Sequence, residues 1–193
     1  MPPATRALIL INIAVYLVEL LAPNVMLGLF ALWPLHSGMF RLWQLVTYAF
    51  LHDPRFWAHI FFNMFALFMF GRGLEQYWGS RRFLGYYFVC LIAAALTQLA
   101  VEGASGEPVL GASGAVFGVL LAFAWYFPRQ RLIVLPIPLP VPAWLFVPIY
   151  AAIELFSGLT RTQQSVAHFA HLGGMLGGAL CILYWQARHR FSS

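Results

Sequence analysis

The chain has 193 residues, 62% of them hydrophobic and 9% charged, with a mean hydropathy of +0.78. Such a composition excludes an ordinary soluble domain and points to a polytopic membrane protein. The formal net charge of +5 comes from arginine with no lysine, in short clusters between apolar stretches, so it reads as topology information and excludes a nucleic-acid footprint.

Stretches of roughly 17 to 25 mostly apolar residues can cross a bilayer core of about 30 Å. In chain order they lie near 6–22, 55–77, 82–101, 113–127, 142–158 and 167–187. This predicts an all-α, polytopic fold of six transmembrane helices forming a single membrane domain over residues 1–193. The start, Met1-Pro2-Pro3-Ala4-Thr5-Arg6, runs into the first span with no small-residue cleavage site behind it. It is therefore expected to be a retained span and not a signal peptide. Between the first two spans, residues 23–54 are too long for a simple connector and carry Trp33, Phe40, Trp43, Tyr48 and Phe50. That aromatic content suits a loop half-submerged at the headgroup level. Cys90 and Cys181 fall inside apolar runs and read as small hydrophobes, with no disulfide or metal framework implied. Pro128, Pro136, Pro138, Pro140 and Pro142 punctuate the link between the fourth and fifth spans, and Arg188-His189-Arg190 closes the sixth.

An even number of spans puts both termini on one side. Arg6, Arg72, Arg81, Arg82, Arg129, Arg131, Arg188 and Arg190 fall with the termini, while Arg41, Arg55 and Arg161 fall opposite. The positive-inside rule then makes the termini cytoplasmic and turns the loops holding Glu102, Glu107 and Arg161 outward.

Polar groups inside spans are unfavourable, so each is a functional candidate and their depths are worth comparing. Ser113, in the stretch Gly111-Ala112-Ser113-Gly114-Ala115-Val116-Phe117-Gly118, begins the short fourth span. At the helical rise that span covers only about 22 Å, so its outer end is submerged. His171 lies a turn into the sixth span, at a comparable depth. His59 and Asn63 occupy one face of the first turns of the second span. Gly114 with Gly118, and Gly174 with Gly178, form small-residue stripes that let two helices approach closely, and Gly111 keeps the turn before the serine slim. Taken singly, these features are ordinary packing stripes, a helix N-cap and an interface histidine. Their coincidence at one level favours chemistry: Ser113 as nucleophile, His171 as general base, and the backbone N–H of Ser113 with His59 and Asn63 as donors to an oxyanion.

Neither Asp53 nor Glu154 has an evident reason to reach His171, which predicts a serine–histidine dyad with no third acid. Glu154 reads as a snorkelling or protonated group without a catalytic part, or alternatively as a residue tuning lateral opening of the bundle. His168 is the rival base, but lacks glycines at the right offset. A transporter or channel would place ionisable groups near the midplane and often show inverted repeats; neither is visible.

These motifs resemble those of the rhomboid intramembrane serine proteases, of the bacterial type with a six-span core, over nearly the whole chain. Gly111-Ala112-Ser113-Gly114 is similar to the family's GxSG around the nucleophile, and Ala170-His171-Leu172-Gly173-Gly174 with Gly178 to its AHxxGxxxG around the base. His59-Ile60-Phe61-Phe62-Asn63 is similar to the HxxxN whose members help bind the oxyanion. The resemblance implies endopeptidase cleavage of transmembrane protein substrates in or near the lipid bilayer. It also implies a multi-pass protein of a bacterial inner (plasma) membrane with its active site open to the outer side, and neither metal nor organic cofactor. The chain departs from the family pattern at Trp43-Gln44, where Trp-Arg is common, and at Phe117, where a tyrosine often stacks on the histidine. His52 fits a histidine often found before the second span, with two extra residues between it and His59. A non-proteolytic rhomboid-like binder of membrane helices is the alternative; such proteins typically lack the serine or the histidine, and both are here.

Overall fold

The computed structural model describes residues 1–101, 107–134, 137–160 and 167–190. Glu102, Pro136 and Arg161, which the sequence puts in connections, lie outside the described residues. Each apolar stretch is helical. The chain runs through α1 (Pro3–Leu21), the short α2 (Pro23–Phe30) and α3 (Gln44–Thr47), then α4 (Trp57–Ala66), a π-helical turn (Leu67–Gly71) and α5 (Arg72–Trp78) as one continuous rod. It continues through α6 (Ser80–Val101), α7 (Ser113–Tyr126), α8 (Ala143–Thr160) and α9 (His168–Arg190). Among the described residues α1, α6 and α8 are long and apolar enough to cross a membrane, and α7 is apolar but shorter.

The rod made by α4 and α5 stops at Gly79, whose φ of 80° is available to glycine at little steric cost, and α6 starts at the next residue. Glu75 braces this corner. Its carboxylate accepts hydrogen bonds from the backbone N–H of Ala4 and Thr5 at 2.8 and 2.7 Å, from the Thr5 hydroxyl at 2.7 Å and from Ser80 at 2.6 Å. The free N–H groups that begin α1 thereby receive an acceptor that is 70 residues away in sequence.

The strand pair β1 (Arg131–Val134) and β2 (Ile137–Pro142), antiparallel with Leu132 opposite Val141, corrects the all-α expectation. Prolines at 138, 140 and 142 alternate with residues that keep their N–H, so one edge of β2 can still pair while the proline edge cannot. A proline pattern that reads as punctuation thus also permits a two-stranded ribbon.

The core forms around α7, which is buried on nearly all sides from Gly114 to Ala124 and packs against α9, α6, α8 and the π-turn. Small residues set the spacing. A Cβ on Gly174 of α9 would collide with the carbonyl of Gly114, and one on Gly118 would come within 2.6 Å of Cys90 Cβ and 2.8 Å of the Gly174 carbonyl. Gly178 departs from the expected α7 contact: it faces α6, where its Cβ would strike the Tyr86 hydroxyl. The α9 stripe therefore curves from α7 toward α6 along its length.

The segment between α1 and α4 is folded against the start of α7. Leu32 and Val109 exchange backbone hydrogen bonds at 2.8 and 2.9 Å, and the N–H of Gly111 donates to the Tyr48 carbonyl at 2.9 Å. Gln44 is fully buried, accepting from the N–H of Arg41 at 3.1 Å and of Trp33 at 3.4 Å, and donating to the carbonyls of Met39 and Leu29 at 3.1 and 3.3 Å. A glutamine thus anchors this loop at the position where the resemblance leads one to look for arginine.

Candidate active site

Ser113 is the first residue of α7, after a turn at Gly111 whose φ of 123° disfavours any side chain. Across the α7–α9 contact the Ser113 hydroxyl lies 2.8 Å from Nε2 of His171. This is hydrogen-bond distance for a base and the proton it removes. The imidazole is also held by its face: the ring of Phe117, one turn after the serine, stacks on it at 4.2 Å between centroids and 6° between planes.

The other ring nitrogen overturns an expectation. Nδ1 of His171 lies 2.9 Å from Oε2 of Glu154, and Nδ1 of His168 lies 2.6 Å from the same oxygen. The expectation that Glu154 has no reason to reach His171 fails because α8 turns this carboxylate into the bundle, where it is 5% exposed, and not along the surface. Gly158, one turn further on, lets α8 come close; a Cβ there would lie 3.2 Å from Phe169 and 3.3 Å from His168 Cβ. His168 is engaged by the carboxylate, whereas the ring that hydrogen-bonds Ser113 is that of His171. The donor atoms of Glu154, His168 and His171 lie within 4.8 Å of one another, so these three are also the set that a metal ion would find among the described residues.

His59 approaches from α4. Its Nε2 lies 2.7 Å from the point that a Gly111 Cβ would occupy, and Ser113 Oγ lies 3.8 Å from that point. The missing side chain of Gly111 therefore leaves a gap bordered by the serine hydroxyl and a histidine. Nδ1 of His59 accepts the N–H of Asp53 at 3.3 Å, which leaves Nε2 as the ring N–H facing the gap. Asn63 is buried one turn on, its Nδ2 donating to the His59 carbonyl at 3.0 Å.

The loop ahead of α4 is pinned by charge and burial. His52 donates its backbone N–H to Glu19 of α1 at 2.9 Å, and its ring meets that of His59 edge-on at 4.9 Å. Burial, helped by the neighbouring His59, pushes the His52 ring down to about 3, so it packs as a neutral imidazole. Asp53 is paired with the exposed Arg55 at 3.0 Å, and that hydrogen bond holds its carboxyl below the usual range.

Sequence reasoning brings Ser113, His171, His59, Gly111, Gly114, Gly118 and Gly174 to one region, as the structure does, while the Asn63 side chain bonds back to its own helix at the His59 carbonyl. It misses Glu154 and His168 as neighbours. The available signal was a lone carboxylate within an apolar helix, which needs a partner nearby.

Fold and site together define an integral membrane protein of packed helices built around a half-buried serine–histidine pair. The chain belongs to the rhomboid family: residues 39–188 match the model of the Rhomboid domain. It is 34% identical over 145 residues to Rhomboid protein 1, mitochondrial, of Saccharomyces cerevisiae, an alignment covering 71% of this chain and 40% of that protein. It is 28% identical over 196 residues to Rhomboid protease GlpG of Photorhabdus laumondii, covering 99% of this chain and 64% of the relative. Rhomboid protease GlpG of Yersinia pestis is 26% identical over 188 residues, again with 64% of the relative covered. The chain thus spans less than two thirds of the length of each of these relatives.

Proposed function

We propose that this protein is a rhomboid-type intramembrane serine endopeptidase that cleaves transmembrane segments of membrane proteins, with Ser113 as nucleophile and His171 as general base. The observation that carries this reading is the 2.8 Å contact between Ser113 Oγ and His171 Nε2, part-buried where α7 and α9 touch through glycines. Family membership and the protease names of the two bacterial relatives support it.

In this mechanism Ser113 Oγ attacks the scissile carbonyl carbon while its proton passes to Nε2 of His171. The C–N bond then breaks as Nε2 returns that proton to the leaving amine, giving an acyl-enzyme. Water, deprotonated by the same nitrogen, attacks the ester carbonyl; its proton returns to Ser113 Oγ as the acid product leaves. The oxyanion of each tetrahedral state would be met by the N–H of Ser113 at the start of α7, by Nε2–H of His59 and by the second amide hydrogen of Asn63. The gap beside Gly111 is the space in which a substrate carbonyl would meet the first two.

The accompanying topology has six spans in one membrane domain, with α4 and α5 together as the second. The termini are cytoplasmic, the loop before α4 is half-submerged on the outer side, and the active site opens outward. Irregular backbone such as residues 107–112 is tolerated at membrane depth where protein or a wet cavity surrounds it.

The test uses purified wild type and Ser113→Ala in detergent, with a fluorophosphonate probe and a tagged single-span substrate containing small, helix-weakening residues. Labelling and cleavage by the wild type alone are expected. A folded wild type that neither labels nor cuts would shift the reading to a binder of membrane helices.

A further inference from the structure

We propose that Glu154 is the third member of a serine–histidine–glutamate triad, and that His168 is the positioning residue that holds this carboxylate in register; the inference rests on the serine protease reading. Four atoms carry it. An imidazole has its two nitrogens on opposite sides of the ring, and in His171 Nε2 meets Ser113 at 2.8 Å while Nδ1 meets Glu154 at 2.9 Å. With Nδ1–H donating to Glu154, the lone pair of Nε2 is free to accept the serine proton, which is the tautomer a general base needs. Phe117 fixes the plane of the same ring from its face. As the serine proton arrives, the imidazole becomes cationic, and a carboxylate on its far side stabilises that charge without itself taking the proton.

A buried carboxylate needs more than one donor to remain in place. His168 supplies the second, at 2.6 Å to the same Oε2. His168 and His171 lie three residues apart on one face of α9, so a single oxygen in the groove between α8 and α9 receives both Nδ1 atoms. Two ring N–H donors on one oxygen favour the ionised carboxylate, because a charged oxygen is the stronger acceptor for both. The first turn of α9, with its free N–H groups, adds a favourable field for an anion. The spacing also distinguishes a hydrogen-bonded set from a metal set. Two ligands bound tetrahedrally at about 2.0–2.1 Å from zinc would stand about 3.3 Å apart, wider than either contact seen here.

The experiment compares kcat and KM for the wild type, Glu154→Gln, His168→Phe, His168→Asn and Ser113→Ala on the single-span substrate, with each variant's melting temperature as a check on folding. Glutamine keeps the shape and removes the charge, and is expected to lower kcat about 100-fold or more with KM within about 3-fold. His168→Phe removes a donor and should lower kcat about 10-fold, whereas His168→Asn, whose Nδ2 falls near the former Nδ1, should retain most of the activity. Histidine-selective 15N NMR of the wild type supplies a readout independent of any substitution and should show the Nδ1–H tautomer for His171. Wild-type kcat in a folded Glu154→Gln protein, or an Nε2–H tautomer for His171 in the wild type, would overturn the triad. So would activity that a chelator abolishes and stoichiometric zinc restores. A wild type that fails to cleave while behaving like Ser113→Ala overturns the serine protease reading itself, and is thereby distinguished from these outcomes.

Discussion

The α-carbon of Gly174 faces the carbonyl of Gly114 so closely that a Cβ has no room between them. The separation of α7 and α9, and with it the 2.8 Å contact of Ser113 with His171, is set by the absence of a side chain at Gly174. Gly174→Val is therefore expected to push the helices apart and reduce cleavage by at least 100-fold, since a displacement of about 1 Å from reacting geometry costs that much. The measurement is single-turnover cleavage together with fluorophosphonate labelling; a variant that labels at the wild-type rate would show that the pair survives without the glycine contact.

Phe117 stacks flat on His171 and also meets Tyr150 at 5.0 Å. Phe117→Tyr keeps an aromatic face and should leave kcat within about 3-fold of wild type, whereas Phe117→Ala frees the imidazole and should lower kcat about 10-fold to 100-fold. Equal rates for alanine and tyrosine would mean that Ser113 and Glu154 hold the ring unaided.

His59 borders the gap at Gly111, while Asn63 has one amide hydrogen already donated to the His59 carbonyl. Asn63→Ala should leave a measurable remnant of activity, with kcat down about 10-fold to 100-fold, and His59→Ala should lose more, toward the 1000-fold end seen when an oxyanion donor is removed. The reverse order, read from kcat at saturating substrate, would assign the principal donor to Asn63.

Gln44 has both ends of its amide engaged inside the loop before α4. Gln44→Leu leaves buried carbonyl and N–H groups without partners, at about 1–3 kcal/mol for each one that water cannot reach. The expected result is a lower melting temperature in detergent and early proteolysis within residues 31–43, with residual activity in the protein that remains folded. Unchanged melting would show that backbone contacts such as Leu32 with Val109 hold the loop alone.

Asp53 is held below the usual carboxylate range by its hydrogen bond to Arg55. A depressed folded value contributes stability that is present above the unfolded value of about 3.9 and is lost as pH falls through the folded value. Asp53→Asn should therefore differ least from wild type in the acid range and most at neutral pH, with a small difference throughout because the Arg55 partner is almost fully exposed to solvent. A growing destabilisation of the variant on acidification would contradict this sign.

The helices and the principal pair were legible in the amino acids because apolar run length and glycine spacing are local properties. A run of 20 or so apolar residues has few states other than a helix in lipid, and a serine and a histidine near the starts of two glycine-striped helices are brought together when those helices pack. The β1–β2 ribbon was hidden because prolines at every second position read as breaks until a partner strand is known. Glu75 and Glu19 were hidden for another reason: each carboxylate serves backbone N–H groups from a distant part of the chain, and backbone donors leave no trace in the letters.

What the sequence determined by itself is the helical, membrane-type class of fold, the candidacy of Ser113, His171 and His59 for one site, and the glycines that bring α7 and α9 together. What only the tertiary structure decided is the rotation of α8 that turns Glu154 toward both His168 and His171, and so whether the base acts with a hydroxyl alone or between a hydroxyl and a carboxylate. The physical reason is that helical period tells which residues of one helix share a face, but not which neighbouring helix that face will meet.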